Sequence, residues 1–263
     1  MLEALVLPVV ALAIFLGASR PAHAQAGPPY FTNDPGTPGN ANWEINLGAM
    51  PTISRRASST QAPQIDMNFG VGDRIQLTYE IPFVFQSPAG QPTQTGWGND
   101  YYGVKWRFLD EGEGGLQVST FPQVEMGGSR HALQVGAAGP GPRYLLPLEV
   151  SRRVGPVDLD VEAGYYLPGH GPRERILGLV AGRPVNDRLE LDAEIYDDRA
   201  NAALPHGTTL DAGGRYKLGR GFIALFMAGR SVSGLAGGQP EFVGYLGIQI
   251  LLSNYGRTLT AEP

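Results

Sequence analysis

Residues 157–167 read VDLDVEAGYYL, and this stretch decides the fold class. Asp158, Asp160 and Glu162 share one face of an extended chain, while apolar side chains share the other. A soluble sandwich turns such an apolar face inward, toward a second sheet. An outer-membrane barrel turns it outward to lipid and lets the acids line a wet lumen. The rest of the sequence has to distinguish these two folds.

Composition sets broad limits. The chain has 263 residues, a formal net charge of −5, 42% hydrophobic residues and no Cys. The length suits one large β-domain or two small ones, and the mild acidity argues against a nucleic-acid partner. Without Cys, the chain has neither a disulfide framework nor a Cys-ligated metal.

The N-terminus has the features of an export signal. An apolar run, ALVLPVVALAIFLG, is followed by Ala22-His23-Ala24, a small-residue cleavage site. The run is shorter than the ~20 residues of a membrane-spanning helix. The n-region carries Glu3 where positive charge is usual, so the position of the start codon stays open. We predict a signal peptide over residues 1–24 and an exported mature chain that begins at Gln25.

The remaining chain is a series of alternating segments with little helical periodicity. After a Pro- and Gly-rich lead-in over residues 25–42 we mark about twelve candidate strands. They are Trp43–Ser54, Ala62–Gly70, Arg74–Gln86, Asn99–Leu109, Gly115–Met126, Arg143–Val154, Val157–Leu167, Glu174–Val185, Arg188–Asp197, Thr208–Leu218, Phe222–Val232 and Glu241–Leu252.

The connections between these segments alternate between short and long. Short turns such as Val71-Gly72-Asp73 and Gly155-Pro156 alternate with longer loops such as Ser87–Gly98 and Gly127–Pro142. An up-and-down barrel has this pattern when its short turns face the periplasm, whereas a Greek-key sandwich does not require it. We therefore predict an all-β fold, a transmembrane antiparallel up-and-down β-barrel of about twelve strands. It spans residues 43–252 and is followed by a C-terminal tail over residues 253–263 whose exact start stays open.

Aromatic residues add support for a membrane location. Most lie near the ends of predicted strands, where an interfacial girdle places amphipathic rings. They are Trp43, Phe85, Trp97, Tyr101, Tyr102, Phe108, Tyr144, Tyr165, Tyr166, Tyr196, Tyr216, Phe222 and Phe242.

Several segments together resemble a known family. They are PPYFTNDPGTPGNANWEINLG, MNFGVGDRIQLTYEIPFVF, DYYGVKWRFL, FPQVEM, RPVNDRLELDAEIY and YLGIQILL. In this order they resemble the MetA-pathway of phenol degradation family of outer-membrane proteins, with the DPGTPG…WE element as the most distinctive feature. The resemblance implies an outer-membrane barrel and a transporter, often of aromatic compounds. It supplies no catalytic motif.

Charged residues on the polar strand faces are the candidate lumen lining. Two acidic rows lie on strands separated by one strand, and cations occur on other strands. Segregated signs would set a transverse field on a permeant, whereas pairing would fill the lumen with salt bridges, and both alternatives stay open. The candidates are Asp158, Asp160, Glu162, Glu190, Asp192, Glu194, Lys105, Arg107, Arg183, Arg215 and Lys217.

No catalytic, metal or cofactor site is predicted. His131, His170 and His206 all fall in predicted loops, away from any strand Ser, so a membrane hydrolase is not favoured. The pairs Asn33-Asp34 and Asp197-Asp198 are better explained as solvated turns than as Ca²⁺ ligands.

The predicted function is an outer-membrane channel or transporter for passive passage of small molecules, including aromatic ones. The expected partners are outer-membrane lipid and a small-molecule permeant, with no nucleic acid and an open oligomeric state. A structural or surface-interaction barrel with a filled lumen is the alternative. A soluble periplasmic sandwich is the third possibility.

Overall fold

The computed structural model describes residues 27–169, 173–199, 207–235 and 238–253. The predicted signal peptide over residues 1–24, two of the loop histidines (His170 and His206) and the tail beyond Ser253 lie outside the described residues.

The described residues form fourteen strands and one short helix, α1 (Arg130–Gln134). Among the described residues, no helix is long and apolar enough to cross a membrane. The strands are β1 (Trp43–Ile53), β2 (Ala57–Val71), β3 (Ile75–Pro88), β4 (Gln94–Trp97), β5 (Tyr101–Asp110), β6 (Gln117–Thr120), β7 (Gln123–Glu125), β8 (Arg143–Val154), β9 (Val157–Pro168), β10 (Glu174–Pro184), β11 (Leu189–Arg199), β12 (Gly207–Gly219), β13 (Phe222–Ser231) and β14 (Phe242–Leu252).

The strands form one closed antiparallel sheet. β14 pairs with β1, with Leu252 opposite Trp43, and this pairing closes the wall. β4 and β5 both pair with β3 and together fill one position in the wall. β6 and β7 both lie between β5 and β8 and fill another. The wall therefore has 12 strand positions, which confirms the predicted up-and-down barrel.

Two strand positions are interrupted, and the sequence prediction missed both interruptions, since it also gave β6 and β7 as one strand, Gly115–Met126. β4 lies inside the segment that was predicted as a long loop, Ser87–Gly98. The other break, between β6 and β7, falls at Phe121-Pro122. Pro122 has no N–H to give to a ladder, although its carbonyl still accepts from Val104 N at 3.0 Å. The Phe121 ring faces the inside of the barrel, as Gln117 and Ser119 do, and is buried there.

The two ends of the barrel differ. Short turns, one of them made by Gly155 at φ 61°, join the strands at one end. β1 begins and β14 ends at this same end, which we call the short-turn end. The longer connections, including the one that carries α1, lie at the opposite long-loop end.

The outer face of the barrel is apolar. Leu246 is 69% exposed, and Leu148 and Ile248 are also exposed although they are large hydrophobic residues. Such a surface is expected to face lipid rather than water. Exposed aromatics form a girdle near the short-turn end (Trp43, Trp106, Phe108, Tyr216 and Phe222) and another toward the long-loop end (Phe85, Trp97, Tyr102, Tyr144, Tyr165 and Phe242).

Three aromatics that were predicted to join the girdles lie elsewhere. Tyr101, Tyr166 and Tyr196 line the central cavity. Their positions alternate with those of lipid-facing neighbours, so each side chain points to the inner face of the wall.

The inner face carries one apolar cluster. Val180, Leu225, Met227, Val243 and Tyr245 are buried together on β10, β13 and β14. The ring of Tyr30, from the lead-in, completes this cluster. This apolar cluster lies beside inward charged side chains, because β11 and β12, between β10 and β13, carry buried acids.

Candidate channel lumen

The lead-in enters the lumen from the short-turn end. Near its junction with β1, Thr37 Oγ1 donates to the Asp73 carbonyl of a short turn at 2.9 Å. Farther from the junction, the Asp34 carbonyl accepts from Nζ of Lys105, which is five positions inside β5. Residues 27–37 thus lie inside the barrel, enclosed by the wall.

Carboxylates of the acidic rows hold the backbone of the lead-in. Glu194 accepts from the N–H groups of Phe31 at 3.1 Å and Thr32 at 2.7 Å. Glu162 accepts from the N–H of Asn33 at 2.8 Å. An irregular segment has no ladder to satisfy its N–H groups, so buried carboxylates take the place of a neighbouring strand.

Tyr30 anchors the lead-in to one part of the wall, through both its hydroxyl and its ring. Its hydroxyl donates to Asp192 Oδ2 at 3.1 Å, while its ring packs in the apolar cluster with Val180 and Leu225. Burial, with a further contribution from the Asp192 carboxylate, raises the pKa of the Tyr30 phenol above its ordinary value. The phenol therefore remains a donor toward Asp192.

Two cations hold the lead-in by its carbonyl groups. Lys105 donates to the Asp34 carbonyl, lies 3.5 Å from Glu149 and sits 4.8 Å from the centre of the Phe121 ring. Arg215 donates to the carbonyl of Pro28 at 3.1 Å. The lead-in is thus held at its N–H groups by acids and at its carbonyl groups by bases.

In the row of Asp158, Asp160 and Glu162, Asp158 is held by the wall itself. Asp158 receives two hydrogen bonds of 2.6 Å each from Arg153 on β8. Asp160 is 1% exposed and lies opposite Ser151 in register. Ion pairs such as Arg153–Asp158 and Lys105–Glu149 therefore bring cations and acids together in parts of the lumen.

A cavity of about 780 Å³ remains between the lead-in and the wall. Asp158 and Asp160, described above, and Asp192 and Glu194, which contact the lead-in, are buried on the inner face. The sequence-predicted candidates that line the cavity are Lys105, Arg107, Glu162, Glu190, Arg215 and Lys217.

Arg183 is a correction to the predicted lining. It is exposed and shares its face of β10 with Leu177 and Leu179, whereas Val180 and Gly182 face inward. Because successive side chains of a strand point to opposite faces, Arg183 points to the outer face of the barrel. The prediction relied on the charge of Arg183 rather than on its position in the alternation.

Cross-strand carboxylate pairs form a second pattern that the sequence analysis did not assemble. On the inner face Asp66 lies opposite Glu80, Glu149 opposite Glu162, and Glu194 opposite Asp211. Most of these residues are about five positions from the short-turn end, so the pairs lie near mid-height. The alternation within each segment places each of these residues on the inner face. Which residues lie opposite each other depends on the register between strands, and this is known only from the assembled sheet.

The long-loop end has its own inward packing. Ala132 of α1 and Ala137 after it are buried against Val84, on the inner face of β3. His131 is an exposed residue of this helix. In the described ranges no three His, Asp or Glu side chains are grouped to hold a metal ion. Asp197 accepts from Thr208 Oγ1 at 2.8 Å, a contact between strand ends.

Comparison with solved structures gives the class of fold. The chain is similar to an outer-membrane channel from Pseudomonas putida F1, with a TM-score of 0.64, 13% identity and coverage of 89% of this chain and 100% of that chain. It is also similar to the NanC porin, with a TM-score of 0.56, 10% identity and coverage of 78% and 98%. These similarities show the fold of an outer-membrane β-barrel.

A third similar structure was solved with a ligand. The KdgM porin, described in complex with a disordered oligogalacturonate, matches with a TM-score of 0.52, 10% identity and coverage of 80% of this chain and 98% of that chain. No family model and no curated protein matches the sequence.

Proposed function

We propose that this chain is an outer-membrane channel for passive passage of small molecules, narrowed by its own lead-in. The observation that carries the proposal is the cavity of about 780 Å³ beside the lead-in, lined largely by polar and charged residues. A lumen filled for structural reasons alone is expected to pack apolar side chains at interior density. The similar solved structures, which include a channel and two porins, support the same proposal.

The route to the membrane is part of the proposal. Cleavage before Gln25 would free the lead-in, and the mature chain would insert into the outer membrane with its short turns in the periplasm. The lead-in would then reach the lumen from the periplasmic side.

The permeant is proposed to be small and polar, with aromatic compounds included. The resemblance to the MetA-pathway family favours aromatic cargo. Phe31, Tyr101, Tyr166 and Tyr196 line the cavity and offer ring faces to such a solute. The fixed charges favour permeants with a polar or ionised group.

Single-channel current tests the proposal. The mature protein and a variant with Asp192→Asn and Glu194→Gln are reconstituted into planar bilayers. The variant loses two carboxylates that hold Tyr30, Phe31 and Thr32. We expect stable current steps in both proteins and larger steps in the variant.

The matched control removes the same charge elsewhere in the cavity. Glu113→Gln with Asp187→Asn changes two exposed lining residues at the short-turn end. This control should keep the wild-type step size. Folded, inserted protein that stays silent in all three forms would instead establish the filled structural barrel.

A further inference from the structure

One carboxylate pair differs from the other two in its surroundings. In the Glu149–Glu162 pair, Lys105 lies 3.5 Å from Glu149, and in the Glu194–Asp211 pair, Glu194 binds lead-in N–H groups. Asp66 and Glu80 lie directly opposite each other on β2 and β3. Within the part of the chain that the structure describes, neither has a Lys or Arg at ion-pair distance. Carboxylates placed directly opposite each other repel unless something compensates them.

Neutral amides surround this pair and direct their donors to it. Gln64 Nε2 donates to Glu80 Oε1 at 2.7 Å. Asn46 Nδ2 and Asn68 Nδ2 donate to Asp66 Oδ2 at 2.8 and 3.0 Å. These bonds fix the orientation of the amides, because an amide oxygen turned toward a carboxylate would be repelled.

The same bonds leave buried acceptors without donors. Asn46 Oδ1, Gln64 Oε1 and Asp66 Oδ1 have no hydrogen-bond partner. Asn46 is 0% exposed and Asp66 is 6% exposed. Buried acceptors without donors are costly and rare, so each one requires an explanation. A group that brings several donors and a positive charge would satisfy both these oxygens and the carboxylate pair.

An aromatic ring lies beside these acceptors. The ring of Tyr245 packs over Gly48, at a place where any Cβ would collide with it. Gly48 lies opposite Gln64 in register. Tyr245, Gln64, Asp66 and Glu80 all line the central cavity. A ring face next to carboxylates is a favourable surface for an organic cation.

We propose that this patch binds the ammonium group of a small primary amine. An ammonium group offers three donors and no acceptor, which complements a surface made of acceptors. Ca²⁺ requires six to eight oxygens in a close shell, and within the described ranges the acids do not form a metal-holding group. The inference rests on the proposed function, since the amine reaches the patch through the lumen. The ammonium patch consists of Asn46, Gln64, Asp66, Glu80 and Tyr245.

Calorimetric titration of the detergent-purified mature protein tests the ammonium patch without any current. The probe is benzylamine at neutral pH, and benzyl alcohol is its uncharged counterpart. We expect saturable binding of benzylamine and none of benzyl alcohol. Glu80→Gln should weaken benzylamine binding by about tenfold or more, because the charge partner of the ammonium group is lost.

Two further variants make the result decisive. Asp187→Asn removes a carboxylate from the same cavity outside the ammonium patch and should bind like wild type. Asp66→Asn should weaken benzylamine binding as Glu80→Gln does. It provides the test if Glu80→Gln fails to fold. Equal binding of benzylamine and benzyl alcohol would overturn the inference. Wild-type affinity for benzylamine in both Glu80→Gln and Asp66→Asn would also overturn it.

Current recordings separate this inference from the proposed function. Benzylamine that binds to a barrel without conductance would refute the channel and leave the ammonium patch standing. Conductance steps in a protein that binds no benzylamine would refute the ammonium patch and leave the channel standing.

Discussion

Single residues decide how closely the lead-in approaches the wall. Gly178 on β10 faces inward, and a Cβ built on it would lie 2.9 Å from the Cβ of Thr32. Thr32 is 0% exposed, and its N–H donates to Glu194 at 2.7 Å. The absence of a side chain at position 178 therefore lets the lead-in pass this level of the lumen.

Substitution of Gly178 by Val should displace the lead-in. The added methyl groups collide with Thr32, and the irregular segment yields more easily than the hydrogen-bonded wall. We expect larger single-channel steps than in wild type. Ala181→Val, which adds methyl groups on the lipid face of the same strand, is the control and should keep the wild-type current. Equal currents in the two variants would show that Thr32 does not narrow the path.

At the scale of elements, the lead-in behaves as a separate unit docked inside a finished wall. Its contacts with the barrel include carboxylate and cation bonds to its backbone, the side chain of Tyr30, the Phe31 ring against Tyr196 and the Thr37 hydroxyl. The wall closes through β1 and β14 without it. Loss of its anchors should thus release the lead-in and leave the barrel folded.

Truncation of Tyr30 tests this independence. Tyr30→Ala removes a buried ring and one hydrogen bond and should weaken docking by about 3 kcal/mol. Tyr30→Phe keeps the ring and should cost about 1 kcal/mol. Limited proteolysis should cleave the lead-in faster in the order Ala, Phe, wild type, with heat-modifiable migration on gels unchanged. A Tyr30→Ala barrel that no longer folds would contradict the independence of the two units.

The strands of the wall could be predicted from the sequence far better than the contacts inside the lumen. Alternation is local, so β8, β9 and β10 begin where the pattern predicted them. The lead-in is rich in turn residues and gives no local signal of its partners. Tyr30 meets Asp192 across 162 positions of sequence, and only closure of the barrel brings them together. Arg183 was misplaced because β10 is apolar on both faces, so its charge was given more weight than its position.

At the scale of the whole molecule, the barrel separates lipid from a charged interior. Carboxylates such as Asp160 and Glu162 are buried inside, while Leu246 and Leu148 are exposed outside. This arrangement is the reverse of a soluble sandwich and follows from the medium that surrounds each face.

A charge on the outer face should destabilise the inserted barrel. Leu246 lies near the middle of β14 and is the most exposed of the large hydrophobic residues. Leu246→Arg should lower the free energy of unfolding from lipid vesicles by about 2–4 kcal/mol. Leu246→Ala, measured in the same urea titration, should cost less because it adds no charge. A neutral effect of the Arg variant would contradict a lipid-facing surface.

The central claim is that the lead-in limits passage through the lumen, and a reversible crosslink tests it most directly. The chain has no Cys, so Thr32→Cys with Gly178→Cys introduces the only two thiols. Their Cβ atoms lie close enough for a disulfide after a small shift. Single-channel current is recorded before and after reduction. We predict steps no larger than wild type while the bond holds the lead-in, and larger steps once reduction frees it. Identical current before and after reduction, with the bond and its loss verified by mass, would contradict the account.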